Sequence, residues 1–237
     1  MLLHGGGLSW WNYKAEAELL KDQYHVVLPI LDGHAGSGND FISIEKNASR
    51  LISFIDKEFG GSVLLIGGLS LGAQILVEML TQQNTICQNA VIESASIIPS
   101  KLTNALIKPM FSLSYGLVKM KCFAQMQFDY LHIRKDLFED YYRDTSQISK
   151  ENMIAFLEAN TSYEIKPGLQ NAHTKVRILV GEKEQKKMIC SAEQLHKALP
   201  GSVLEIKKGL YHGEYSINYP EEYTKELLDM INAQQRP

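Results

Sequence analysis

Ser62-Val63-Leu64-Leu65-Ile66-Gly67-Gly68-Leu69-Ser70-Leu71-Gly72 decides the reading of this chain. Ser62 to Gly68 is too continuously apolar for a strand with one wet face, and suits a central parallel strand covered on both sides. From Ser70 to Gln82 the apolar residues Ala73, Leu76, Val77 and Leu80 recur at helical spacing. Between strand and helix lies Gly68-Leu69-Ser70-Leu71-Gly72. A G-x-S-x-G pattern is weak alone, but between a buried strand and a helix it describes a tight turn that lifts a serine above the carboxyl edge of a sheet. The glycines leave room where a Cβ would collide with backbone. The opening of the helix then points at the serine, so the Leu71 N–H could stabilise an oxyanion. The other glycine–serine reading, a phosphate loop, lacks the Lys-Ser/Thr pair that chemistry needs.

Outward from that turn, strand-like and helix-like stretches alternate. Leu2-Leu3 reads as the end of a strand, Tyr13 to Gln23 as a helix and His25 to Leu31 as a buried strand. Ile44, Ala48, Leu51, Ile55 and Phe59 share one helical face, closed by Gly60-Gly61. Asn89 to Ser94, Lys175 to Gly181 and Val203 to Lys207 read as further strands, and Ser191 to Leu199 as a helix. Pro220 opens a last helix, where its missing N–H costs nothing. Such alternation predicts an α/β fold with a mostly parallel, doubly wound sheet. Ile97 to Glu164 interrupts it with helical patterns rich in Met, Phe, Tyr and Leu and no convincing strand. We expect a core of residues 1–96 and 165–237 carrying a helical insertion at 97–164.

A serine needs a base, because its own hydroxyl is hardly ionised at neutral pH. Of seven histidines, His212 follows the last strand, on the same sheet edge as Ser70. His34 is the rival on that edge. The base needs a carboxylate to fix its tautomer and balance its charge. Glu184, in the loop after the penultimate strand, is the choice; Glu182 in the same loop and Glu93 at the end of the Asn89 strand remain open. His4-Gly5-Gly6-Gly7 after the first strand could present bare amides to a ligand, with Gly6 supplying a second oxyanion donor beside Leu71.

These residues resemble the α/β-hydrolase superfamily across nearly the whole chain. The order Ser70, Glu184, His212 matches the superfamily's nucleophile, acid and base. Pro29-Ile30-Leu31-Asp32-Gly33-His34, followed by Ser37, is similar to its P-D-L-x-G-H-x-x-S segment. The resemblance implies an α/β-hydrolase fold with 97–164 as its cap. The superfamily usually has an antiparallel strand pair ahead of its oxyanion loop; Met1 stands almost on that loop, so those strands are expected to be missing. Its common loop aspartate is here Glu184, one methylene longer, and Ile30 replaces another common aspartate. The expected function is a serine hydrolase of the carboxylesterase kind, cleaving an ester or related acyl bond of a small, largely apolar substrate. A slow-turnover ligand sensor and a carbon–carbon bond hydrolase are the alternatives. No metal or organic cofactor is implied.

Composition sets the bounds. The chain has 237 residues, 45 % hydrophobic and 22 % charged, which is a globular profile. With 24 basic and 27 acidic residues, the formal charge of -3 gives no support for a nucleic-acid or anionic-membrane partner. Cys87, Cys122 and Cys190 form no C-x-x-C pair, and their number is odd, so a disulfide framework or structural zinc is not expected. No apolar run reaches the roughly 18–20 residues of a membrane span, and no signal peptide is evident, so a cytoplasmic location is expected.

Overall fold

The computed structural model describes residues 1–233; the last four residues of the expected core segment, 234–237, lie outside the described residues. Five strands form one wholly parallel sheet in sequential order: β1 (Leu2–Leu3), β2 (Val63–Leu69), β3 (Cys87–Glu93), β4 (Lys175–Gly181) and β5 (Val203–Lys207). Parallel pairing forces each connection to cross over the sheet. The crossovers carry α1 (Lys14–Leu20) and α2 (Ile44–Phe59), then α3 (Leu71–Gln82), and later α8 (Lys186–Ala198). After β5 come α9 (Glu214–Asn218) and α10 (Pro220–Asn232).

Alternate residues of each central strand feed two different cores. Ile66, Ala90, Ile92, Ile178 and Val180 pack with Ile55 of α2, Leu76 of α3 and Leu195 of α8. Their neighbours Leu65, Leu69, Val91 and Leu179 pack with Leu20 of α1 and with Tyr223, Leu227 and Ile231 of α10. Both faces are covered, which is why these strands read as unbroken apolar runs. Helix α2 shows how local signals set boundaries. The Ser43 hydroxyl accepts from Lys46 N at its start, and Gly60 ends it at φ 69° with its N–H on Ile55 O.

One expected strand did not form. Residues 25–31 run extended beside β1, tied by Leu2 N to Val27 O at 3.0 Å, but they make no ladder. Three features prevent it. β1 offers only two residues to pair with. Pro29 has no N–H to donate. The Leu31 N–H is taken by the His4 ring, Nε2 lying 3.1 Å away.

Between β3 and β4 the chain runs through four helices: α4 (Lys101–Val118), α5 (Lys121–Tyr130), α6 (Phe138–Thr145) and α7 (Lys150–Ser162). Side chains tie them to the rest of the molecule. Trp11 Nε1 donates to Asp144 Oδ2 at 2.8 Å, and Thr145 Oγ1 donates to Gly7 O at 2.8 Å. Gln74 and Asn160 bond to each other across the junction with α7. Among the described residues, no helix is long and apolar enough to cross a membrane.

The turn from β2 into α3 requires its glycines. A Cβ on Gly72 would lie 2.2 Å from Leu3 O and 2.6 Å from His4 O, and one on Gly68 would lie 2.5 Å from Gly72 O. These obstacles are backbone and cannot swing aside. Gly72→Ala is therefore expected to cost about 3 kcal/mol, lowering Tm by roughly 6–12 °C in a chain of this length. A melting curve within 2 °C of wild type would show that the β1–α3 contact is not this close.

Candidate active site

Ser70 stands between β2 and α3 in a strained conformation, φ 52° and ψ -111°, for which a non-glycine residue needs its surroundings to hold it. The restraint is visible. Ser70 N donates to Glu93 O at 2.9 Å, and Gln74 N of α3 donates back to Ser70 O at 3.0 Å. The side chain, left half-buried, stands 3.1 Å from His212 Nε2. The other ring nitrogen, His212 Nδ1, is 2.7 Å from Glu184 Oε2. The partners decide the tautomer: Nδ1 donates to the carboxylate, and Nε2 is left to accept from the serine.

Glu184 is itself held. Its Oε1 accepts from the Ser94 hydroxyl and the Gly181 amide, each at 2.7 Å. Burial alone would raise this carboxyl's pKa. The hydrogen bond and charge of His212, with help from Ser94 and Gly181, outweigh that and hold it below the ordinary glutamate value. The extra methylene of glutamate is thus absorbed by a carboxylate anchored in the turn that carries it.

The rival acids go elsewhere. Glu93 is buried at the end of β3, where its Oε1 accepts from Ser216 N at 3.2 Å and makes no bond to His212. Glu182 is exposed and accepts from Gly209 N. The rival base is also otherwise employed. His34 is buried, its Nδ1 donates to Asp32 O and its Nε2 accepts from Gly7 N at 3.0 Å. His4 does the same one layer deeper, donating to Gly5 O and accepting from Leu31 N. Burial drives both imidazoles towards the neutral form, His4 to about 3 and His34 to about 4. They are fixed acceptors that shape the glycine loop.

That loop leaves one amide over. Gly5 N donates to Asn12 Oδ1, and Gly7 N donates to His34. Gly6 N, between them, makes no hydrogen bond among the described residues. A Cβ on Gly6 would lie 3.6 Å from Leu71 Cβ, so the loop and the start of α3 are neighbours. The Leu71 N–H opens α3, where an amide has no partner within the helix. Two amides without a partner among the described residues therefore lie in neighbouring segments, one of them directly after Ser70.

Sequence reasoning missed Ser94 and Asn12. Ser94 had a usable signal, since it directly follows a parallel strand on the carboxyl edge. Asn12 had none, because its contact with Gly5 depends on the fold of the loop after it.

Two cavities meet this edge. One, of about 560 Å³, opens beside Gly6 and Gly7 and is walled by Phe111, Met126, Tyr141 and Phe156, with no charged side chain. The other, about 380 Å³, lies beside His212 and Glu184. Cys87 is a buried free thiol, and Cys122 and Cys190 are exposed free thiols. Among the described residues, no group of three or more His, Cys, Asp or Glu side chains is placed to hold a metal ion.

With fold and site in view, comparison with known proteins gives the class. A sequence-family model described as the alpha/beta hydrolase family matches residues 1–212, and the chain belongs to that family. No curated protein sequence matches it. Its fold is similar to that of a thermophilic esterase from Thermogutta terrifontis, at TM-score 0.80 and 16 % identity, covering 98 % of this chain and 88 % of that one. It is similar to the enol-lactonase of Burkholderia xenovorans LB400, at 0.79 and 14 %, covering 98 % and 90 %. It is also similar to a bromoperoxidase from Bacillus anthracis, at 0.81 and 14 %, covering 98 % and 90 %.

Proposed function

We propose that this protein is a serine hydrolase that cleaves carboxylic esters of an apolar acyl group through an acyl-enzyme. The observation that carries the reading is the unbroken relay from Ser70 Oγ through both nitrogens of His212 to an anchored Glu184, facing the amides of Gly6 and Leu71. The esterase and the enol-lactonase among the proteins of similar structure agree with it.

Ser70 Oγ attacks the ester carbonyl as its proton passes to His212 Nε2. Glu184 stabilises the imidazolium through Nδ1–H. The carbonyl oxygen takes up the negative charge between Gly6 N and Leu71 N, donors already oriented before reaction, which is where such sites gain most. As the carbon–oxygen bond breaks, His212 returns the proton to the departing alcohol. Water then gives a proton to His212 as its oxygen bonds to the acyl carbon; the bond from that carbon to Ser70 Oγ breaks, His212 returns the proton to Oγ, and the acid leaves. Every step is served by groups of this chain and water. Helices α4 to α7 act in this reading as a cap over the site, and their apolar cavity beside Gly6 takes the acyl group.

The test is labelling by a fluorophosphonate probe together with turnover of p-nitrophenyl esters of increasing acyl length. Labelling with turnover that peaks at short to medium chains is expected. Labelling without turnover would favour a slow sensor on the same fold. A folded protein that neither labels nor turns over esters would end the serine hydrolase reading.

A further inference from the structure

The cavity beside His212 is built differently from the acyl cavity. The two share only Tyr130 and Leu131, at the end of α5 and the turn after it. That turn is strained, since His132 sits at φ 55°. Three contacts hold it there. Asn218 Nδ2 donates to His132 O at 2.7 Å, Arg134 N donates to Asn218 Oδ1 at 2.9 Å, and the His132 ring stacks on Tyr211 at 3.9 Å and 13°. Tyr211 precedes His212, and Asn218 ends the helix that follows it. The insertion is therefore clasped directly to the segment that carries the base, and the stacked rings form a wall of the cavity.

A cation stands at that wall. Lys183 Nζ lies 4.9 Å from the centre of the Tyr211 ring and forms no ion pair among the described residues. Nearby carboxylates are already engaged. Glu184 serves His212, Glu182 accepts from Gly209 N, and Glu214 accepts from Tyr211 N. Apart from the neutral amide of Gln185, the rest of the wall, including Leu131 and Met188, is apolar or aromatic.

Chemistry assigns the cavity its role, on the serine-ester reading above. His212 Nε2 must hand its proton to the leaving oxygen, so the leaving group projects on the His212 side while the oxyanion faces Gly6 and Leu71. We propose that this cavity is a leaving-group subsite for an alcohol with a flat or apolar body and a carboxylate at its far end, paired with Lys183. One ammonium matches one negative charge; a phosphate dianion would bring a second, unmatched charge close to Glu182 and Glu214.

The experiment compares a 4-acyloxybenzoate with the 4-acyloxybenzamide carrying the same acyl chain, each kcat/KM divided by the ester's hydroxide-catalysed rate. Wild type is expected to favour the benzoate about three- to fivefold at low salt, the range of a partly exposed ion pair. The preference should vanish in 1 M NaCl and in Lys183→Gln, and persist in Lys197→Gln, a lysine on the exposed end of α8. Equal normalised rates in wild type, or a preference that survives Lys183→Gln, would overturn the subsite while leaving the esterase reading intact. If neither ester is cleaved and Ser70 takes no fluorophosphonate, the esterase reading itself fails.

Discussion

Ser70→Ala is expected to lower kcat on any ester substrate by about 10⁴–10⁶ with KM little changed. The nucleophile and its base act as a unit, so removing either forfeits the whole covalent route. On the proposed serine-hydrolase reading, what survives is the help that the Gly6 and Leu71 amides and the apolar cavity give to direct attack by water, typically 10³–10⁴ over the uncatalysed rate. The substitution deletes one oxygen at a half-buried position and leaves both backbone bonds of residue 70 in place, so Tm should stay within about 2 °C. Burst kinetics in wild type and a linear trace in the variant would report the lost acyl-enzyme. Retention of a tenth of the wild-type kcat, in a preparation free of contaminating esterase, would remove Ser70 from the mechanism.

The second large effect separates the acids. Glu184→Gln keeps the shape of the side chain but offers an amide where His212 needs an acceptor, which turns the imidazole to the wrong tautomer. A loss of about 10⁴ in kcat is expected, as for the same change in other triads. Glu93→Gln should leave kcat within about threefold, because Glu93 faces Ser216 and not the base. Its signature is in stability. Burial, opposed by Ser216 and reinforced by the charge of Glu184, pushes the Glu93 carboxyl from an ordinary value near 4.5 up to about 7. A raised carboxyl pKa means the native state holds its proton longer than the unfolded chain. The contribution is complete below about 4.5 and is lost as pH rises through about 7, a change of roughly 3 kcal/mol. Glu16, also buried and pushed up to about 8, acts in the same sense. Wild type should therefore lose more stability between pH 5 and pH 8 than Glu93→Gln does. If Glu93→Gln abolished turnover and Glu184→Gln did not, the acid would have to be reassigned to β3.

Much of the fold was legible because its signals are local. Lys175–Gly181 and Val203–Lys207 are strands with the bounds that their apolar runs suggest. Ile44–Phe59 is a helix between the serine and glycine that cap it. The Gly68 to Gly72 turn could be read because its demands are steric and lie within a few residues. Where a competing long-range contact decided the outcome, reading failed. Residues 25–31 have the composition of a buried strand, but a two-residue neighbour, Pro29 and the His4 ring left them without a ladder.

By itself, then, the sequence determined the strand–turn–helix that exposes Ser70, the parallel sheet behind it, and the edge on which a base and an acid had to be sought. Only the tertiary structure decided which carboxylate meets His212. Glu93 ends β3 and Glu184 follows β4 at that same edge, and the sequence alone does not say which carboxylate turns to the base. The choice comes from direction: Glu93 still belongs to β3 and turns its carboxyl to Ser216, while the next residue, Ser94 at φ 55°, turns its hydroxyl to Glu184. Side chains that alternate along a strand reach opposite faces, and which face holds the histidine is set by a loop more than a hundred residues away.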